Sequence, residues 1–461
     1  MFDFDIIDKV KEETLVKTIK MVLSPPVKKV EITNVYTKGQ NITPQPADEL
    51  LDLNIINKKL NFNKSEELFL AVDQVISLLP SPVLDKLKRK LDLELFMEWK
   101  SNVQMNAQKI KTFNIDQIKS EDDKKRNVLM ILPTEAQLSM IKGKWVEYFW
   151  QQKTYDGSAA PDWGKWFEEY LNLIEMLHKE GIKVAIAIDE AKYESLKPKI
   201  KADKVIPVKM PKNLLAIGYS RDQSLTLYKD PIILNMVLER RGEETVLNEI
   251  YYKMGIPPPV RSRWSLIGQN FVKIKIEGGN IFVIRTEKGV ILLTGIGERG
   301  TNWAGLKFFS DILPREIRII GVPLSSYIKD WFTSAFHLDL AFSFLGNTKK
   351  GMMALIDPEK IGLSSSIELD RKTGLFKLVN LLEVFKDNRV FVDEPPKEGQ
   401  SKITAMNAFN LGNQKVMSDY LNKKVNDYIE KNFGIQVLRV KIPQLEAGGG
   451  GIRCSTREYW D

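Results

Sequence analysis

One cysteine, Cys454, occurs in the 461 residues, closing the run Gly448-Gly449-Gly450-Gly451-Ile452-Arg453-Cys454. A single thiol forms no disulfide within its own chain and is too little for a thiolate metal cluster. Its remaining chemistry is nucleophilic. Four glycines can reach positive φ and press the backbone against a ligand, so the pattern predicts a sulfur on a flexible rim. A small buried hydrophobe is the ordinary alternative for a lone cysteine. A thiol that attacks needs a proton carrier, and the chain holds two histidines. His178 closes Trp166–Lys179, where Trp166, Phe167, Tyr170, Leu173, Ile174 and Leu177 recur at helical spacing before Gly181. There a histidine is a flanking side chain at a helix end. His337 lies in Phe336-His337-Leu338-Asp339-Leu340-Ala341-Phe342, whose alternation predicts a strand with His337 and Asp339 on one face. An acid/base and an anion then share one wall.

Other polar words precede these: Tyr219-Ser220-Arg221-Asp222, Glu277-Gly278-Gly279-Asn280 and Gly297-Glu298-Arg299. Alone, each has an ordinary reading. Glu277-Gly278-Gly279 suits a hairpin turn, Arg241 and Arg299 suit surface ion pairs, and the glycines around Gly297 have neither dinucleotide nor Walker spacing. Net charge is +8 with acidic residues interleaved. The basic cluster Lys86–Lys90 reads as a solvated helix face, and no aromatic-and-basic platform for nucleic acid is evident. No apolar run approaches the roughly 20 residues that span a bilayer, and the start, Met1-Phe2-Asp3-Phe4-Asp5, is acidic where a signal peptide is basic. The expectation is a cytoplasmic protein without membrane or nucleic-acid partners.

The elements that must position these residues begin near Val128. Residues 1–118 read as a mostly helical accessory region, with a stripe at Leu68, Val72, Val75, Ile76 and Leu79 and a short strand at Lys29–Tyr36. The polar run at 119–127 reads as a linker. From 128 to 461, strand, turn, strand, amphipathic helix and strand recur: around Val128–Ile188, Ser224–Tyr252, Phe271–Val322, from His337, and across Lys415–Val440. Alternation of this kind predicts an α/β fold. About five such units arranged radially leave a central hollow.

The order and spacing of the five polar words, ending on the only cysteine, resemble the arginine deiminase branch of the guanidine-modifying superfamily. The resemblance runs from about Val128 to the C-terminus. It implies a five-bladed α/β propeller and a cofactor-free, metal-free hydrolase that converts L-arginine to citrulline and ammonia. It also implies a small guanidino substrate as partner and leaves homo-oligomerisation open. Cys454 would be the nucleophile, His337 the proton shuttle and Glu277 its partner. Asp222 and Asp339 would hold the guanidinium, and Arg299 the substrate carboxylate. Arg241 matches the first arginine of the family's Arg-x-Arg-Glu-Thr. Asn280 stands where the family has an aspartate, and Gly449 where its loop has an arginine. The alternatives are an amidinotransferase and a diverged, non-catalytic propeller with a binding role. The two histidines are separable: His337→Ala is expected to abolish steady-state turnover and His178→Ala to leave it near wild type, and the reverse ranking would reject His337 as the shuttle.

Overall fold

The computed structural model describes residues 50–52 and 115–460, apart from 141–160, 213, 215, 228–230, 237–239, 241, 257–259, 262–263, 268–269, 298–300, 325–334, 336, 372–375 and 398–404. The stripe at 68–79, the strand expected at 29–36 and the basic cluster at 86–90 lie outside the described residues, as do Arg241 and Arg299.

Six sheets are present among the described residues, and five repeat one plan: an antiparallel pair, a helix, and a third strand parallel to the second. In one, Ile281–Thr286 and Gly289–Ile296 pair antiparallel, the helix Trp303–Ile312 follows, and Arg318–Pro323 returns parallel. Phe342–Thr348, Gly351–Ile356 and Val390–Asp393 repeat it around the helix Leu381–Asp387. Phe409–Gly412, Lys415–Asp419 and Gln436–Val440 do so around Lys423–Phe433. A shorter version joins Ser224–Leu225, Ile232–Ile233 and Val260–Arg261 across Glu243–Met254. The chain is therefore α/β, as the alternation predicts. Among the described residues no helix is long and apolar enough to cross a membrane.

Two boundaries differ from the sequence reading. Phe271 does not open the unit at Ile281; Asn270–Lys273 pairs with Trp264–Ile267 and Leu50–Asp52 in a separate antiparallel sheet. The unit starting at Val128 takes its antiparallel strand from the far end of the chain, Arg457–Tyr459 against Asn127–Ile131. Three residues with two charges carry no strand pattern of their own; pairing and burial make that strand.

The helix of this unit, Trp163–Lys179, follows from its sequence. Asp162 caps it by accepting from the Lys165 amide, and Gly181 leaves it at φ 72°. Its buried face, including Trp166, Tyr170, Leu173 and Leu177, packs into one core with Val128, Met130, Val184 and Ile186. His178, in the last turn, pairs with Asp203 at 2.9 Å at the surface.

Polar groups also run through this interior. Arg221 is buried, donates from Nε to the Arg453 and Thr456 carbonyls at 2.8 and 3.1 Å, and meets Glu458 at 2.7 Å. Arg457, also buried, lies 3.5 Å from Glu458. Burial and the neighbouring Arg221 pull the Arg457 guanidinium down to about 10, whereas Arg221 and Arg457 hold the Glu458 carboxyl far below its usual range against the opposing effect of burial. Glu458→Ala leaves two buried cations facing one another and is expected to cost about 3–5 kcal/mol. Chemical denaturation reads that loss, and a change below about 1 kcal/mol would show that the pairing does not hold the terminal strand.

Candidate active site

The cysteine loop is held by packing. Glu169 accepts from the Gln444 and Leu445 amides at 2.8 and 3.0 Å, fixing the short helix Pro443–Ala447. The chain then passes over Tyr219, whose hydroxyl donates to the Leu445 carbonyl at 3.0 Å. A Cβ at Gly448 or Gly450 would lie 2.4 Å from Tyr219, and Gly449 adopts φ 90°. Glycine is thus required for close approach and for one left-handed residue. The loop turns into Ile452–Ser455, which buries Cys454 to 4% exposure. The flexible rim expected from four glycines is instead a packed floor.

Cys454 is gripped at three points. Its carbonyl accepts from the Arg221 amide at 3.0 Å, and its amide donates to Asn407 Oδ1 at 3.2 Å. Asn407 Nδ2 donates to Sγ at 3.1 Å, and Sγ lies 3.7 Å from Asp339 Oδ2.

His337 and Asp339 do not lie on a strand. His337 is extended and precedes a single 3-10 turn, Leu338–Leu340, and the strand begins at Phe342. The turn forms because the Leu338 amide donates to Asn280 Oδ1 at 3.1 Å. An amide oxygen does this as well as a carboxylate oxygen would, so Asn280 keeps the cap and removes a charge. His337 Nε2 meets Glu277 Oε2 at 2.5 Å, and its Nδ1 lies 3.6 Å from Asp222 Oδ1. Asp222 Oδ1 also accepts from the Gly279 amide at 3.1 Å. A Cβ on Gly279 would sit 2.5 Å from His337 Nδ1, and one on Gly278 would meet the Arg221 carbonyl at 2.0 Å. Glu277-Gly278-Gly279 is therefore no ordinary hairpin; its glycines let the histidine and Asp222 close together.

Two buried arginines complete the site, and the sequence reading gave neither a role. Arg240, the neighbour of Arg241, donates to Asp222 Oδ2 at 2.8 Å, pairs with Glu243 at 3.0 Å and lies 3.5 Å from Glu277. Arg453 donates to Asp339 Oδ2 and Glu121 Oε1, both at 2.9 Å, and lies 3.9 Å over the Phe282 ring. Glu121 belongs to the polar run 119–127, which packs here with Ser120 and Lys125 also buried. The polar composition of that run suggested a linker; the side-chain partner of Glu121, Arg453, is 332 residues away.

Burial would press His337 down, but Asp222, then Glu277 and Asp339, hold the imidazole up at about 9. It is an imidazolium at neutral pH. Burial, then Asp339 and Asp222, push the Cys454 thiol well above its ordinary value. Burial also raises Asp339, against the pull of Arg453. Asp222 goes the other way: His337 and Arg240 overcome burial and lower it. Asp339 and Asp222 are the carboxylates whose charge acts on Sγ. One acceptor is left over. Asp339 Oδ1 is buried without a hydrogen-bond partner among the described residues, and such an atom calls for a donor.

Asp222, Glu277 and His337 bring one ligand atom each within 4.8 Å of one another, close enough to hold a metal ion. Arg240 and the charged imidazole already compensate those carboxylates, so a metal would have to displace them. The trio serves better to hold a proton on His337.

No protein-family model matches the chain, and no curated protein does. Among solved structures it is similar to dimethylarginine dimethylaminohydrolase from Pseudomonas aeruginosa in complex with citrulline. That pair shares 15% identity over 73% of this chain and 100% of the other, at TM-score 0.46. The N-terminal domain of ArgZ, an arginine dihydrolase of the ornithine–ammonia cycle in cyanobacteria, shares 14% over 72% and 97%, at 0.46. SxtG, an amidinotransferase of saxitoxin biosynthesis from Microseira wollei, shares 13% over 74% and 96%, at 0.48. A likeness of this degree assigns no reaction.

Proposed function

We propose that this chain is a cysteine-dependent guanidine hydrolase acting on L-arginine, giving L-citrulline and ammonia. The observation that carries the reading is the buried Asp339 Oδ1, without a hydrogen-bond partner among the described residues, on the carboxylate whose other oxygen lies 3.7 Å from Sγ. A guanidinium is planar, cationic and rich in N–H donors, and it suits a buried carboxylate that lacks one. The same cation answers the electrostatics. Burial, with Asp339 and Asp222, keeps the thiol protonated, and a cation between these carboxylates and the sulfur reverses their effect, so the thiol releases its proton to solvent and becomes the thiolate when substrate is bound.

In this reading the five repeated units are blades around the site, residues 119–127 lead into that catalytic domain, residues 1–118 are an accessory region, and the enzyme works in the cytoplasm. Sγ attacks the guanidinium carbon to give a tetrahedral adduct. His337 is tied to Glu277 through Nε2, so its exchangeable proton is assigned to Nδ1. That proton goes to the departing nitrogen, which leaves as ammonia, and an S-alkylthiouronium remains on Cys454. Neutral His337 then takes a proton from water as it adds to the same carbon. The carbon–sulfur bond breaks, releasing the ureido product and restoring the thiol and imidazolium. Arg240 and Glu243 hold Asp222, and Arg453 holds Asp339. Arg299 and Arg241 are assigned to the substrate carboxylate from the sequence resemblance.

Ammonia and citrulline release from L-arginine tests the reading, and Cys454→Ser should remove both; more than about a hundredth of the wild-type rate in that variant, some 2.7 kcal/mol of barrier, overturns the covalent route. Agmatine, which lacks the carboxylate, is expected to be about ten- to a hundredfold poorer in kcat/KM. Arg299→Ala should erase most of that preference by slowing arginine alone, and wild-type enzyme that prefers agmatine would reject L-arginine as the substrate.

The pH profile gives an independent check. The general acid must be protonated in the complex, where the bound cation has ionised the thiol, so kcat should fall as pH rises through the titration of His337, which stands at about 9 before substrate binds. Glu277→Gln removes a partner that raises His337 and should move that falling limb to lower pH. An unmoved limb would show that another group carries the proton. The sign for stability is the same: the raised imidazole stabilises the fold fully below its unfolded value near 6.5, and this contribution is lost as pH rises through about 9.

A further inference from the structure

The geometry points to Asn407 as a further catalytic residue, the hydrogen-bond donor that stabilises the Cys454 thiolate. This rests on Cys454 being the nucleophile proposed above. Asn407 lies in the segment just before the strand Phe409–Gly412 and is 1% exposed. The orientation of its amide is fixed by the backbone it touches. The Cys454 amide is a donor and points at Oδ1 at 3.2 Å, so that atom must be the carbonyl oxygen. The NH2 group is therefore the one that faces Sγ at 3.1 Å. The Asn407 carbonyl also accepts from the Arg453 amide, at 3.4 Å. One residue thus holds the turn by its backbone, the nucleophile's amide by its oxygen, and the sulfur by its nitrogen.

The neighbours of Sγ divide the work by protonation state. As a thiol, Sγ can donate to Asp339 Oδ2 at 3.7 Å. As a thiolate it has no proton to give and needs donors. Among the described residues Asn407 is the side chain that the structure places as a donor to Sγ. Arg453, although adjacent in sequence, spends its donors on Asp339, Glu121 and the Ile281 carbonyl. A neutral donor suits this position. It favours the anion without adding a cation that would repel a guanidinium.

The test uses alkylation by iodoacetamide, which needs no substrate and, with one cysteine in the chain, reports a single site. Two variants separate the roles of Asn407. Asn407→Ala removes the donor without adding charge. Asn407→Asp is nearly isosteric and keeps an oxygen for the Cys454 amide, but it also loses the donor. Loss of the N–H···S contact is common to both. A hydrogen bond to a charged acceptor corresponds to about one to two pH units in the thiol titration. The thiolate fraction at neutral pH therefore falls about ten- to a hundredfold. Each remaining thiolate is more nucleophilic, so the net alkylation rate should drop about three- to tenfold in both variants. Thermal melting and circular dichroism establish that each variant is folded. Wild-type alkylation by folded Asn407→Asp overturns the proposal, whatever Asn407→Ala does, because it reduces Asn407 to a backbone clamp. Slowed alkylation with no turnover of any guanidine by the wild type would uphold Asn407 and reject the reaction instead.

Discussion

The guanidinium of Arg453 is the contact on which the site is built. It is 0% exposed, one residue before Cys454, and it reaches three separate parts of the chain. It holds Asp339 after the histidine turn, Glu121 in the segment leading to the first strand, and the Ile281 carbonyl where the Glu277 turn becomes a strand. Its flat face lies on Phe282. An arginine can do this where a lysine cannot, because five donors in a rigid fork serve several acceptors at fixed angles. A buried cation with one partner is costly. With these partners it becomes a hub that sets the sulfur and one carboxylate relative to each other.

The second consequence of that hub is electrostatic. Arg453 engages one oxygen of Asp339 and Arg240 one oxygen of Asp222, so the protein's own guanidinium groups orient the carboxylates that face the sulfur. Each carboxylate is fixed without being fully neutralised. Burial and the charges of Asp339 and Asp222 favour the protonated sulfur at rest, and a ligand carrying positive charge shifts it toward the thiolate. In the proposed reaction, reactivity and recognition are one property, because the group that fits the acceptor is the group that ionises Cys454.

The sequence disclosed the site unevenly, for physical reasons. Cys454, His337, Glu277, Asp222 and Asp339 stand in short words whose glycines and polar residues are unusual together, and a unique cysteine orders them. Arg240, Arg453 and Asn407 do not stand out, because an arginine beside a polar word looks the same whether it faces water or a buried carboxylate. Asn407 sits in Ala405-Met406-Asn407-Ala408, with no local signal at all. Glu121 read as part of a polar connector because its partner is far away in sequence. The α/β alternation was legible from periodicity. The strand Arg457–Tyr459 was not, since a three-residue strand depends on its partner. The His337–Asp339 alternation was read as a strand, but the Asn280 cap on the Leu338 amide bends it into a turn.

That terminal strand bears on how the protein comes into being. Asn127 donates from its side chain to the Tyr459 carbonyl across 332 residues, and the sheet between them includes the strand that follows Cys454. On the ribosome the early strand Asn127–Ile131 emerges with its antiparallel neighbour still unmade. The repeated units between them can collapse as they appear, but this sheet must wait, and long-range pairing of that kind forms slowly. Cys454 is synthesised just before the strand that locks it in place. A nascent chain therefore carries no assembled thiol site until the strand Arg457–Tyr459 has been made, and the exposed edge of Asn127–Ile131 is where a stalled or truncated chain would be open to mispairing.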